Sequence, residues 1–272
     1  MTTTASWVNA TDVAIRAHYF DEFDTKKYIG PSIFTADIPK IESVTTEIAD
    51  YIGLGDHAET DEGDVSTETT YTEGYKTTIN YVEFTKHIGF TEIEMKMDKS
   101  GMVERKSKDM ADSAKRTVEK ILSGTINNSV QGSTQASYVS AYGDGKNIFS
   151  YVHPTPVAGG STASNVSYTG LAFSPSNLST ELLLMRAQKY PDGNYCDVRA
   201  DTILINPALG EEVTIALKSE LKSGTGDNDL NVFKNGQILQ GRTMKIIEWD
   251  YLSSTTGWML MDSAKNPLFF GY

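Results

Sequence analysis

The chain has 272 residues, 39% hydrophobic and 22% charged, and its 24 Lys and Arg against 36 Asp and Glu give a formal net charge of -12. These values are ordinary for a folded protein of one or two domains; no apolar run reaches the roughly 18 residues needed to cross a bilayer, and the stretch from Met1 to Trp7 lacks the basic segment and apolar core of a secretory signal. Cys196 is the only cysteine, which excludes an intrachain disulfide and thiolate-rich zinc sites, and an acidic chain is poorly suited to coating DNA, whose affinity comes from Lys and Arg neutralising phosphates.

Residues 1–45 carry one amphipathic patch, from Trp7 and Val8 through Val13, Ala14 and Ile15 to Tyr19 and Phe20, with Thr11 or Asp12 as its cap. Pro31 and Pro39 then favour extended chain over helix. The segment reads as an arm lying on another surface. From Ile41 to Tyr75 there are ten acids (Glu42, Glu47, Asp50, Asp56, Glu59, Asp61, Glu62, Asp64, Glu68, Glu73) and no Lys or Arg. Alternating β-branched and aromatic residues on the far limb, to Tyr81 and Val82, predict a long hairpin with a polar tip. A lone two-stranded hairpin is marginal in water, so it needs a surface to lie on.

The segment Glu83–Met97 alternates in part (Phe84, Ile88, Phe90, Ile93, Met95, Met97) and reads as strand or strand-turn. The clearest helix follows over 101–129, where Met102, Met110, Ala114, Val118, Ile121, Leu122 and Ile126 recur at three- and four-residue steps, with Ser100 as cap. It is long for a domain of this size, roughly 40 Å at about 1.5 Å per residue. Residues 130–170 read as polar loops. Leu178–Gln188 is predicted helical, opened by Ser176 or Asn177. Thr202–Ile205 is a buried strand ended by Asn206 and Pro207, and Ala208–Leu221 is a second amphipathic helix. Ser223–Asp229 is a loop, and Met244–Trp249 and Trp258–Met261 are closing strands. The fold class is α+β, with no simple βαβ order.

No active site emerges. The histidines His18, His57, His87 and His153 are scattered, without the spacing of a helical zinc site. His153 and Cys196 form the weakest of pairings for a nucleophile and base, since a lone residue of each type occurs widely by chance. Asp56, Glu59, Asp61, Glu62 and Asp64 lack the Asp-x-Asp-x-Asp-Gly order and closing glutamate of a calcium loop. Gly224-Thr225-Gly226 is followed by no Gly-Lys-Ser/Thr and is not a phosphate loop. No cofactor is expected.

Several segments, in order, resemble one family. They are Tyr81 through Phe90, Ala111 through Thr117, Asp144 through Ser150 with His153-Pro154 and Gly159-Gly160, Leu184 through Lys189 with Asp192-Gly193, Asn206 through Leu209, Gly224 through Asp229, and Trp258 through Asp262. Their order is similar to that of the Mu-type phage major head subunits, within the tailed-bacteriophage capsid proteins. The resemblance implies a Hong Kong 97-type capsid fold with an N-terminal arm (1–45), an extended loop (46–85), a peripheral domain on a spine helix (86–132), an axial domain (133–243) and C-terminal strands returning to the peripheral domain (244–272).

It also implies a non-enzymatic structural subunit of the virion capsid, assembled in the host bacterial cytoplasm. Pentamers and hexamers of many copies would form an icosahedral shell around double-stranded DNA, without sequence-specific binding and without a membrane. A portal would stand at one vertex, and decoration proteins could add outside. Because the chain reaches its arm directly from Met1, a separate scaffolding protein is expected. Between subunits, Glu59, Asp61, Glu62, Asp64, Glu68 and Glu73 of the loop would meet Arg105, Lys106, Lys115 and Arg116 of a neighbour's spine helix, since opposite potentials fix register. The alternatives are an encapsulin-type nanocompartment shell and, in a different class, a secreted adhesin or calcium-dependent binding module.

Overall fold

The computed structural model describes residues 4–268, apart from 26, 35–44, 54, 58, 64, 66–67, 69–71, 99, 131–132, 135–142, 157–159, 161, 168–169, 222–229, 239–241 and 267; the side chains of 4–12, 46 and 92 are likewise outside the description. The chain divides into two compact units, Met1–Ala36 with Val82–Gly124, and Asp37–Tyr81 with Thr125–Tyr272.

In the first unit, α1 runs over Thr4–Thr25, longer than the amphipathic patch alone predicts. Tyr19 stacks on Phe23 one turn away, with ring centroids 5.9 Å apart. Pro31 does not extend the chain; it stands in the first turn of the short helix α2, Gly30–Ile33. A proline is tolerated there because its missing N–H would have had no partner within the helix. Pro39 lies outside the described residues. Where strand was expected, residues 81–90 carry no regular element and α3 occupies Glu92–Lys96. A capping box accounts for it: the Thr91 side chain accepts from the Glu94 amide, and the Glu94 carboxylate accepts from the Thr91 amide.

The expected long helix is α4, Met102–Asn127. Its cap is Asp98, not Ser100. The two carboxylate oxygens accept from the Met102 and Val103 amides, each at 2.8 Å. The Val103 and Met102 amides hold the Asp98 carboxyl below the usual aspartate range. A carboxylate does this better than a hydroxyl, because it accepts from two of the amides left open at a helix start and its charge opposes the helix dipole. Ser100 donates instead to Asp98.

In the second unit, β1 (Thr45–Ile52) and β2 (Thr72–Asn80) form the antiparallel hairpin. The register slips between Ala49 and Tyr51, whose partners are Lys76 and Glu73, so β2 carries an extra residue. Gly74 sits at this bulge, where a Cβ would come 3.1 Å from the Asp50 backbone. Bulges bend a strand and re-aim its side chains.

The remainder is built on a three-stranded sheet. Its centre is β3 (Thr202–Ile205), buried at every position. With β4 (Gln237–Ile238) and β5 (Arg242–Thr243) making a small separate ladder, β3 pairs in parallel with β6 (Lys245–Glu248) and antiparallel with β7 (Trp258–Met261). One sheet face, including Ile203, Ile205, Ile246 and Leu260, packs against α5 (Pro175–Arg186) and α6 (Gly210–Lys218) through Leu178, Leu182, Val213 and Leu217. Helix α5 is capped by Ser174, one step before Pro175 and two before the expected Ser176, its hydroxyl accepting from the Asn177 amide at 3.1 Å. Asn206 ends β3 as expected, and a 3₁₀ turn at Pro207–Leu209 leads into α6. The expected loop Ser223–Asp229 falls outside the described residues, except that Leu221 and Leu230 bridge across it.

At one end of the sheet, Asp201 accepts from the Thr202 hydroxyl and the Ser263 amide at 2.9 and 3.0 Å. Burial pushes the Asp201 carboxyl up, but these bonds and the Ser263 hydroxyl outweigh it, leaving the group below the usual aspartate range. The buried Asp262 accepts from the Arg199 amide at 2.9 Å. Asn127, at the end of α4, exchanges hydrogen bonds of 2.9 Å with the Tyr251 carbonyl and the Ser253 amide.

Candidate assembly surfaces

The two charged sets singled out in the sequence lie in different units. On the hairpin, Glu59, Asp61, Glu62 and Glu68 are exposed in the link between β1 and β2. Glu73 is exposed on β2 and pairs with Lys76 at 3.5 Å. Asp64 lies outside the described residues. Among the described residues, no group of three or more His, Cys, Asp or Glu is arranged to hold a metal ion.

On α4, Arg105 and Arg116 are exposed. Eleven residues at 3.6 per turn bring them close to the same face. The exposed Asp109 and Lys120 stand near that line, so the stripe is mixed in sign with a basic excess. Lys106 is already engaged: it pairs with Glu94 at 2.9 Å and lies 5.5 Å from the Phe90 ring centroid. Lys115 sits over the rings of Phe23 and Tyr28, 4.7 and 5.9 Å from their centroids. Such cation–π contacts hold a charge inside its own unit. Of the four predicted cations, two are thus presented outward and two brace the first unit.

Glu119 stands apart from the other acids of this helix. It is 1% exposed, and its carboxylate accepts from the Gly30 amide at 2.7 Å, beside the buried Ile33 and Phe34. This anchors the segment after α1 to α4. The pattern of α4 shows Glu119 only as one more charge among apolar steps; what buries it comes from a segment far away in the chain.

Among the described residues, no hydrogen bond joins His153 to Cys196. The His153 Nδ1 lies 2.6 Å from Asp144, whose side chain is 1% exposed. Burial pushes the Cys196 thiol up, away from the reactive thiolate.

The loop around Asp144 meets the hairpin. The Gly143 amide donates to the Thr77 hydroxyl at 3.0 Å, and the Tyr75 hydroxyl donates to the Pro154 carbonyl at 3.2 Å. Just past the end of β1, Asn194 lies 3.4 Å from Asp56, and a Cβ on Gly53 would come 2.8 Å from the Asp192 carboxylate. The surface that a lone hairpin needs is supplied, at these points, by its own chain.

The described residues contain no helix long and apolar enough to cross a membrane. No curated protein matches the chain. Among solved structures, the capsid of bacteriophage JBD30 decorated with minor capsid protein trimers contains a chain similar to this one, with a TM-score of 0.57 and 13% identity. The match covers 84% of this chain and 92% of that one, a likeness of fold. The profile of the phage capsid protein family matches residues 76–272, well over half of the sequence and including β3, α4 and both closing strands. A mixed helix-and-strand chain matched over that span belongs to the phage capsid protein family, which is structural and not enzymatic.

Proposed function

We propose that this chain is the major capsid subunit of a tailed bacteriophage, most similar to the Mu-type head subunits. It self-assembles as pentamers and hexamers into an icosahedral shell around double-stranded DNA. The family match over residues 76–272 carries the reading. The long α4, the acidic hairpin and the fold likeness to a capsid chain support a Hong Kong 97-type arrangement. In that arrangement residues 1–45 are the arm, 46–85 the extended loop, 86–132 the peripheral domain, 133–243 the axial domain and 244–272 the closing strands. Assembly takes place in the host cytoplasm on a separate scaffolding protein, with a portal at one vertex. A decoration protein on the outer face is part of the same proposal, by likeness to the JBD30 capsid, which carries minor capsid protein trimers.

The net charge of -12 suits a container through which DNA must slide during packaging. Cryo-electron microscopy of native particles, with nucleic acid assayed in the same fraction, tests the proposal. Icosahedral shells filled with DNA are expected. Shells holding protein cargo would mean an encapsulin, and a small discrete oligomer would overturn the reading.

A further inference from the structure

We infer that the loop Gly143–Lys146 with His153-Pro154 is a seat that sets the angle of the hairpin in the free subunit, and that the Asp144–His153 pair keeps this seat rigid. The contacts converge on one short window of β2. At the bulge, Tyr75 is aimed at the body and donates to Pro154 at 3.2 Å. Two residues on, Thr77 accepts from the Gly143 amide at 3.0 Å. Between them the backbone of Lys76 packs directly on Gly143. A Cβ there would lie 2.4 Å from the Lys76 carbonyl oxygen and 2.9 Å from its carbon. Both are backbone atoms, so no side-chain rotation relieves the clash. Any residue but glycine at 143 must push the strand away.

The seat itself has little freedom. The buried side chain of Asp144 holds His153 at 2.6 Å through one oxygen and accepts from the Lys146 amide at 2.8 Å through the other. His153 is fixed from behind by paired backbone bonds to Ala163, at 2.8 and 2.9 Å. Asn165 then ties Ser150 and Ile148 into the same patch. A two-stranded hairpin without such support would sample many angles. Setting the angle beforehand lowers the ordering cost when the hairpin meets a partner.

The seat is a property of one chain and does not depend on the capsid reading, so its test uses the full-length chain kept below the concentration at which it associates. Hydrogen–deuterium exchange is followed separately over 45–80 and over β3 and β6. Gly143→Ala and His153→Ala are expected to speed exchange in the hairpin by about tenfold or more while leaving β3 and β6 protected, as local opening requires. Gly89→Ala, at an open position with no atom within 4 Å of the added Cβ, should change neither. If Gly143→Ala fails to fold, Tyr75→Phe and Thr77→Val delete single seat bonds and should speed the hairpin alone by a smaller factor. Unchanged hairpin exchange in these variants would overturn the seat, as would loosening of hairpin and sheet together.

Discussion

Glu119 is a carboxylate in a place where charge is costly, and its partner explains why it is tolerated. The Gly30 amide at 2.7 Å would otherwise lie unsatisfied beside Ile33 and Phe34. Replacing Glu119 by Ala leaves that amide without its acceptor, a loss of about 1–3 kcal/mol for a buried polar group. The expected outcome is a lower denaturation midpoint and faster proteolysis between α1 and β1. Asp201 makes the pH counterpart. Its folded pKa is depressed, so the stability it contributes is complete above the ordinary aspartate value of about 4 and is lost as pH falls through the lower folded value. Denaturation midpoints measured from pH 7 down to pH 3 should fall more steeply for the native chain than for Asp201→Asn, with the difference confined to the acid end.

At the scale of elements, what was legible followed the strength of the local pattern. The three- and four-residue steps from Met102 to Ile126 mark α4, and the unbroken apolar run at 202–205 marks a strand covered on both faces. Helix α3 was missed because five residues are too few for a helical period to outweigh the alternation of Phe84, Ile88, Phe90 and Ile93. Its legible mark was the pair Thr91 and Glu94, three residues apart. The caps Asp98 and Ser174 stand two or three residues before the expected Ser100 and Ser176 or Asn177, since several polar residues stand before each helix and only backbone geometry chooses among them. Ser174→Ala should lower stability by about 1 kcal/mol, visible in denaturant titration, whereas Ser176→Ala should have little effect. The hairpin was readable, but its seat was not. Gly143, Pro154 and Tyr75 are brought together only by tertiary folding, and no local pattern joins them.

For the whole molecule, the charge match proposed between the hairpin of one copy and α4 of another would centre on Arg105 and Arg116, because Lys106 and Lys115 are occupied within their own unit. An exposed pair of this kind adds no more than about 1 kcal/mol, so such a match would choose partners while apolar burial would supply the cohesion. Arg105→Glu with Arg116→Glu should weaken assembly at low salt, by light scattering, and the deficit should shrink as salt screens the charges. Equal assembly at every salt concentration would remove this contact.

The order of strands β6-β3-β7 also bears on how the protein is made. A ribosome delivers the central strand first, and both its edges stay open until Lys245–Glu248 and then Trp258–Met261 have emerged. A nascent chain therefore carries an apolar strand with both edges open until those two strands have been made. The sheet therefore closes on its central strand only once both later strands are present.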